Sequence, residues 1–388
     1  MRAKLIALGA VVAALGIAPA GTAFAADGDQ SASNGATAGS TNTSTTNQGA
    51  SQTQSSSSGC QYGCGGSGQA QALIQQAETA QKAFSNANAD QTGVNANVPV
   101  TISAGDVHAG SNSASQDLSN EASSNSSNSS TTNQGADQSQ ESSSSCGAGC
   151  GGSGQAQFLL QDATTGQVAG SKANANQTGV NANVPVTISA GDVHLGSNSA
   201  DQRLSNEANA DSTNTSTTNQ GASQDQSSSS DCKFGCGGSG QAQKLGQFAD
   251  TFQLALSNAN ADQTGVNANV PVTISAGDVW AGTGSATQYA DNSANSNSSN
   301  HSTTNQGASQ SQSSDSGSKC SGCGGSGQAQ KLEQRANTWQ KAFSWANAWQ
   351  SLENTNAPVT VSKGKKAKKG KAARKHRKAK NARHAKRK

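Results

Sequence analysis

The heptapeptide Gly-Gly-Ser-Gly-Gln-Ala-Gln occurs four times, at 65–71, 151–157, 237–243 and 324–330, with spacings of 86, 86 and 87 residues. Two further markers keep this period. Gln-Thr-Gly-Val-Asn-Ala-Asn-Val-Pro-Val-Thr-Ile-Ser-Ala-Gly-Asp-Val lies at 91–107, 177–193 and 263–279, and Ser-Thr-Thr-Asn-Gln-Gly ends at Gly49, Gly135, Gly221 and Gly307. In the fourth copy the long marker shrinks to Gln350 and then Ala357-Pro358-Val359-Thr360-Val361. A unit copied almost without gaps is one supersecondary element, and such elements gain a continuous core by stacking on one another.

What fills that core is the difficulty. Only 31% of the residues are apolar by a definition that includes alanine, and 3% are aromatic. Ser, Thr, Asn, Gln and Gly take their place. A chain this poor in carbon cannot offset the entropy of ordering with one large apolar core. The expected class is therefore a tandem-repeat, low-complexity chain, either largely disordered or β-solenoid-like, with short strands and short amphipathic helices.

Each unit divides into four pieces. A Ser/Thr/Asn/Gln tract such as 212–230 has no apolar period; it reads as flexible or as a polar β segment held by amide ladders. A cysteine pair in a Gly/Ser turn follows. Next, Leu332, Ala336, Trp339, Phe343 and Ala346 step by 4, 3, 4 and 3, the pattern of a one-faced helix. Leu73, Ala77, Ala80 and Phe84 repeat it, as do Leu245, Ala249, Phe252 and Leu256, whereas Gly166 and Gly170 weaken the second copy. Last, Val94, Ala96, Val98, Val100, Ile102 and Ala104 alternate with polar residues, a strand signal, with Pro99 suited to an edge or a break and Gly105-Asp106 to the turn. Gln48, Gln91, Gln134, Gln177, Gln220, Gln263 and Gln306 are all 43 apart, which points to rungs of about 21 residues, two per half-unit.

Arg2 and Lys4, the apolar run 5–20 and Ala23-Phe24-Ala25 form a secretory signal with cleavage expected after Ala25. The organisation that follows is a signal peptide at 1–25 and a polar tract at 26–59. Repeats follow at 60–145, 146–231 and 232–319, then a truncated terminal repeat at 320–362 and a basic tail at 363–388. Export points to a secreted or cell-surface protein, and no second apolar run offers a transmembrane segment in the mature chain.

Charge is divided sharply. The formal net charge is only +3, yet residues 363–388 hold 15 Lys or Arg and no acid. The chain before Lys363 carries the other 11 basic residues against all 23 acids, a net −12, or −14 without Arg2 and Lys4. Lys363, Lys365, Lys366, Lys368, Lys369, Lys371, Arg374, Lys375, Arg377, Lys378, Lys380, Arg383, Lys386, Arg387 and Lys388 are candidates for a polyanion contact, disordered until bound and weakened by salt. Without aromatic residues for base stacking, any nucleic-acid binding there ignores sequence.

The eight cysteines form close pairs, Cys60/Cys64, Cys146/Cys150, Cys232/Cys236 and Cys320/Cys323. In an exported chain these are disulfide candidates, either within a pair or between repeats or chains. A zinc site would need two repeats to meet, and a redox role would need a βα framework. His108 and His194 match Trp280 in the third copy, so the position accepts any flat side chain and is not a catalytic imidazole. Asp106, Asp192 and Asp278 read as turn caps. No serine elbow, phosphate loop or metal-ligand set is present, so neither enzyme activity nor a small-molecule substrate, cofactor or metal is expected.

Ser85, Gln91, Gly93 and Asn95 resemble the curlin-type repeats of bacterial functional amyloids, which place Ser, Gln, Gly and Asn at fixed offsets. The resemblance implies an extracellular β-solenoid fibre subunit. The Asn stands one residue early, the later Gln is missing, and cysteine and proline are foreign to the pattern. The tail resembles the Lys/Ala-rich tails of histone-like proteins. The function expected is an exported structural or adhesive surface protein, open to self-association, whose tail docks on an anionic wall polymer. The alternative is an exported, sequence-indifferent nucleic-acid or polyphosphate binder.

Overall fold

The computed structural model describes residues 15–17, 26–63, 67–146, 152–232, 237–316 and 325–363. All regular structure among them is strand: β1 (Leu15–Ile17), β2 (Ala26–Cys60), β3 (Gly68–Asn97), β4 (Val100–Ser103), β5 (Val107–Ala109), β6 (Asn112–Cys146), β7 (Gly154–Asn183), β8 (Val186–Ser189), β9 (Val193–Leu195), β10 (Asn198–Cys232), β11 (Gly240–Asn269), β12 (Val272–Ser275), β13 (Val279–Trp280), β14 (Gly284–Ser316), β15 (Gly327–Asn356) and β16 (Val359–Ser362). Strands of 30–35 residues are far longer than the usual five or six.

These strands form four parallel sheets, ordered β14-β10-β6-β2, β15-β11-β7-β3, β1-β4-β8-β12-β16 and β13-β9-β5. Each strand lies in register on the same piece of the preceding copy, so Gln48, Gln134, Gln220 and Gln306 are successive partners. The repeat is thus one rung of a β-solenoid, and the tandem organisation of the sequence becomes axial stacking. Parallel neighbours about 4.8 Å apart make the four rungs about 19 Å tall, whereas a 35-residue strand spans about 115 Å. The protein is a slab, long across the rungs and short along the axis.

The two long sheets face each other. Successive strands along the axis interleave: β3 touches both β2 and β6, β7 both β6 and β10, and β11 both β10 and β14. Their inner faces are mostly polar. Among the largest fully buried side chains, Leu118, Leu159, Leu204 and Leu245 stand beside Gln116, Gln138, Gln140, Gln161, Gln167, Gln177, Gln202 and Gln224. The glutamines form columns: Gln161 Nε2 donates to Gln75 Oε1 at 2.8 Å, and Gln247 Nε2 to Gln161 Oε1 at 2.8 Å. The same Gln161 Nε2 reaches the opposite sheet and donates to Gly221 O at 3.1 Å. Asparagines do likewise, Asn128 Nδ2 bonding Asn214 Oδ1 at 2.9 Å and Val168 O at 2.8 Å. Such bonds meet the desolvation cost that would otherwise forbid a buried amide. Regular side-chain ladders are also what permits a long, flat sheet.

Small residues close the remaining space. Ala87, Ala89, Ala173, Ala175, Ala259 and Ala261 pack against Ala122, Ala208 and Ala210. Gly179 admits Leu204: a Cβ there would stand 2.7 Å from Leu204 Cδ2 and 2.9 Å from Gln202 Nε2.

Several expectations are corrected. The predicted helices are strands. Leu332, Ala336 and Ala346 lie at alternate positions of β15, with Trp339 and Phe343 at the positions between them; steps of 4 and 3 do not distinguish the two periods when the partner strand decides. Gly166 and Gly170 do not interrupt β7. Gly170 makes room for Phe84, whose Cδ1 would lie 2.6 Å from a Cβ at that position. Among the described residues short strands of 2–4 residues, such as β4 and β8, alternate with strands of 30–35 residues that were not expected, and the rung is the whole repeat rather than about 21 residues. The 43-residue spacing of glutamines separates two ladders, one per long sheet: Gln48, Gln134, Gln220 and Gln306 in one, Gln91, Gln177 and Gln263 in the other. The Ser/Thr/Asn/Gln tracts are ordered β segments with amide ladders, so the chain is not disordered overall. The alternating strand breaks at Pro99, as a residue without an N–H requires, but its burial is inverted. Asn181 and Asn183 are fully buried, whereas Val94 is 59% exposed.

Candidate functional site

Of the fifteen basic residues assigned to a polyanion contact, Lys363 falls among the described residues. Its N–H donates to Ser275 O at 3.2 Å, just beyond β16 in the terminal rung. Lys365, Lys366, Lys368, Lys369, Lys371, Arg374, Lys375, Arg377, Lys378, Lys380, Arg383, Lys386, Arg387 and Lys388 lie outside the described residues. So do Cys64, Cys150, Cys236, Cys320 and Cys323. The backbones of Cys60, Cys146 and Cys232 end three adjacent strands as register partners, which brings the first cysteine of three repeats to one edge of the slab.

Columns of identical chemistry also run up the outside. His108 and His194 stack with ring centroids 4.7 Å apart, and His194 and Trp280 at 4.2 Å. The position therefore holds flat rings, as their exchange in the sequence implied. Asp106 and Asp192 act as caps between rungs: Asp192 N–H donates to Asp106 Oδ1 and Asp278 N–H to Asp192 Oδ1, both at 2.8 Å. A carboxylate one rung below therefore holds the next turn in register. Among the described residues no group of His, Cys, Asp and Glu side chains is arranged to hold a metal ion, and no helix is long and apolar enough to cross a membrane.

The feature that residue-by-residue reading missed is the terminal rung. β14 and β15 are edge strands of their sheets, and β15 is exposed along nearly its whole length. Its inward positions carry the usual ladder residues. Gln334 Nε2 donates to Gln247 Oε1 at 2.6 Å, and Gln328 Nε2 to Gln241 Oε1 at 3.1 Å. Among the described residues nothing lies above them, so Leu332 is 48% exposed where its partner Leu245 is fully buried. On the outer side Trp339 stacks on Phe252 at 4.3 Å, Phe343 on Trp345 at 5.8 Å, and Lys341 lies 4.5 Å over the Trp339 ring. The available signal was agreement between copies: the inward amides of the second long sheet, such as Gln75, Gln81, Gln91 and Asn95, recur in all four repeats, while outward positions such as Lys82, Val168, Leu254 and Lys341 change from copy to copy. No family model, curated protein or solved structure matches the chain.

Proposed function

We propose that this is an exported structural or adhesive surface protein, in which the repeats form a stiff polar slab and residues 363–388 dock on an anionic wall polymer. The observation that carries the reading is the junction at Lys363. Four rungs held by continuous amide columns end there, and 15 cations without one acid follow at once. Side chains locked in ladders provide shape and stiffness, and the outer faces offer no converging set of reactive groups. The charge split also confines docking to the tail, because the acidic body repels the polymer that the tail attracts.

The test is retention on isolated wall polymer. Removing residues 363–388, or raising the salt from about 0.05 to about 0.5 M, should release the protein, since each neutralised anionic site adds to the salt dependence. Retention unchanged by both treatments would refute docking through the tail. Release by nuclease rather than by loss of wall polymer would favour the nucleic-acid reading.

A further inference from the structure

The open terminal rung and the first rung are two halves of one interface. We propose that the exported chain binds a second copy of itself head to tail, the β14/β15 edge of one copy taking the β2/β3 edge of the next. This rests on the structural reading above and names its partner.

β14 and β15 at one end, and β2 and β3 at the other, are edge strands, each a row of backbone groups available to a neighbour. The strands also interleave along the axis, so each end is a ledge. Among the described residues β15 stands without cover at one end and β2 at the other. Seating β2 of a second copy on β14 places it against the uncovered inner face of β15 and fills both ledges at once.

β2 already pairs with β6, β6 with β10 and β10 with β14, residue for residue. The same step puts Gln30 on Gln288, Asn42 on Asn300 and Gln48 on Gln306, and in the other sheet Gln75 on Gln334 and Gln91 on Gln350. Amide meets amide at each of these positions, although the outer residues of the terminal copy have diverged.

In a glutamine column every Nε2 donates to the rung nearer the N-terminus, Gln116 to Gln30, Gln202 to Gln116 and Gln288 to Gln202. The inward asparagine columns run the other way, Asn34 to Asn120, Asn120 to Asn206 and Asn206 to Asn292. Head-to-tail contact continues both senses. Head-to-head contact would turn the strands antiparallel and end every column at the joint.

Within the slab the inner strands alternate Gly93, Leu118, Gly179, Leu204 and Gly265, each glycine making room for leucine. The terminal rung exchanges the sizes: Ala290 stands at the position of Leu204 and Leu352 at that of Gly265. The residue arriving beside Leu352 from a second copy is Ala32, so the large side chain again lies between small ones. At the short sheet, β1 occupies the edge of β4 that β16 of a second copy would take. Cleavage after Ala25 removes it and completes the interface. Because the two surfaces differ, such a contact is open-ended and builds a ribbon, about 19 Å longer for each added chain.

The test uses two double variants of the exported chain. In β6 and β10 the even-numbered residues donate toward the C-terminal end, as Asn112 to Ser197 O and Asn198 to Thr283 O. In β15 the odd-numbered ones donate back to β11, as do Gly327 and then Ala357 just past its end. Ala294→Pro with Ala342→Pro thus removes donors that point out of the slab at one end. By the same alternation Gly35→Pro with Ala80→Pro does so at the other. Neither pair cuts an internal hydrogen bond. Sedimentation velocity should show growing assemblies for the exported chain and single chains for each variant at tenfold higher concentration. Equimolar variants mixed together should give dimers and nothing larger, since each keeps one sound end. Far-UV spectra and melting close to those of the parent chain verify folding. If one variant does not fold, the other still decides by remaining single or assembling. The proposal is overturned if the exported chain stays single at all concentrations, if a folded variant assembles like the parent, or if two folded variants fail to pair. Retention on wall polymer is read separately, so loss of either result leaves the other standing.

Discussion

Replacing a single glutamine in the middle of a ladder should cost more than replacing the whole ladder. Gln161 is fully buried. It donates to Gln75 Oε1 and to Gly221 O, and accepts from Gln247 Nε2. Gln161→Leu nearly conserves volume, but it strands Gln75 Oε1 and leaves Gln247 Nε2 with only Gly307 O, at 3.0 Å. A buried polar group deprived of its partner costs about 1–3 kcal/mol, so the two together predict a loss of about 2–6 kcal/mol. Converting Gln75, Gln161, Gln247 and Gln334 all to Leu strands no amide. The carbonyls of Gly135 and Gly221 sit in strands paired on both sides and keep their backbone bonds, while apolar burial rises. The fourfold variant should therefore be more stable than the single one. Urea unfolding followed by the far-UV β signal measures both. A single-variant loss below about 1 kcal/mol, or a fourfold variant losing four times the single value, would refute the view that continuity of the column, rather than each amide separately, holds the slab.

Three further outcomes follow from the same packing. Gly179→Val drives a side chain into Leu204 and should cost about 1–3 kcal/mol; adding Leu204→Ala should recover at least half in the same unfolding assay. Ser228 Oγ is buried without a hydrogen-bond partner, so Ser228→Ala should leave the unfolding midpoint unchanged or raise it slightly, the opposite of the glutamine result. Reduction of all cysteines should leave the β signal intact, because the loop closed by a Cys-x3-Cys pair is short and stabilises little, while the ladders extend along the whole length of each strand; circular dichroism with and without reductant checks it.

Comparing residues and structure shows where the reading of composition failed. Low carbon content argued against one large apolar core, and none formed. The inference from that to flexibility overlooked that Gln, Asn and Ser can themselves fill a core when each has a partner at the right height. That condition is met only by in-register stacking, which is a property of four copies and not of any one. Val94, Ile102 and Phe84 point outward for the same reason: the inner face was claimed by the residues able to form ladders. The helical spacing of Leu332, Ala336, Trp339, Phe343 and Ala346 misled because a 3.6-residue period and a two-residue period agree at enough positions over one short stretch.

What the linear chain determined by itself was the period, the charge division and the turn at Gly105-Asp106, since each depends on composition or on neighbours in sequence. Which face is buried, how many residues make a rung, and that the slab ends in an open edge were decided by tertiary structure. These follow from hydrogen bonds between residues 86 or 87 apart, and no local pattern encodes a partner at that distance. Only the stacked rungs supply it.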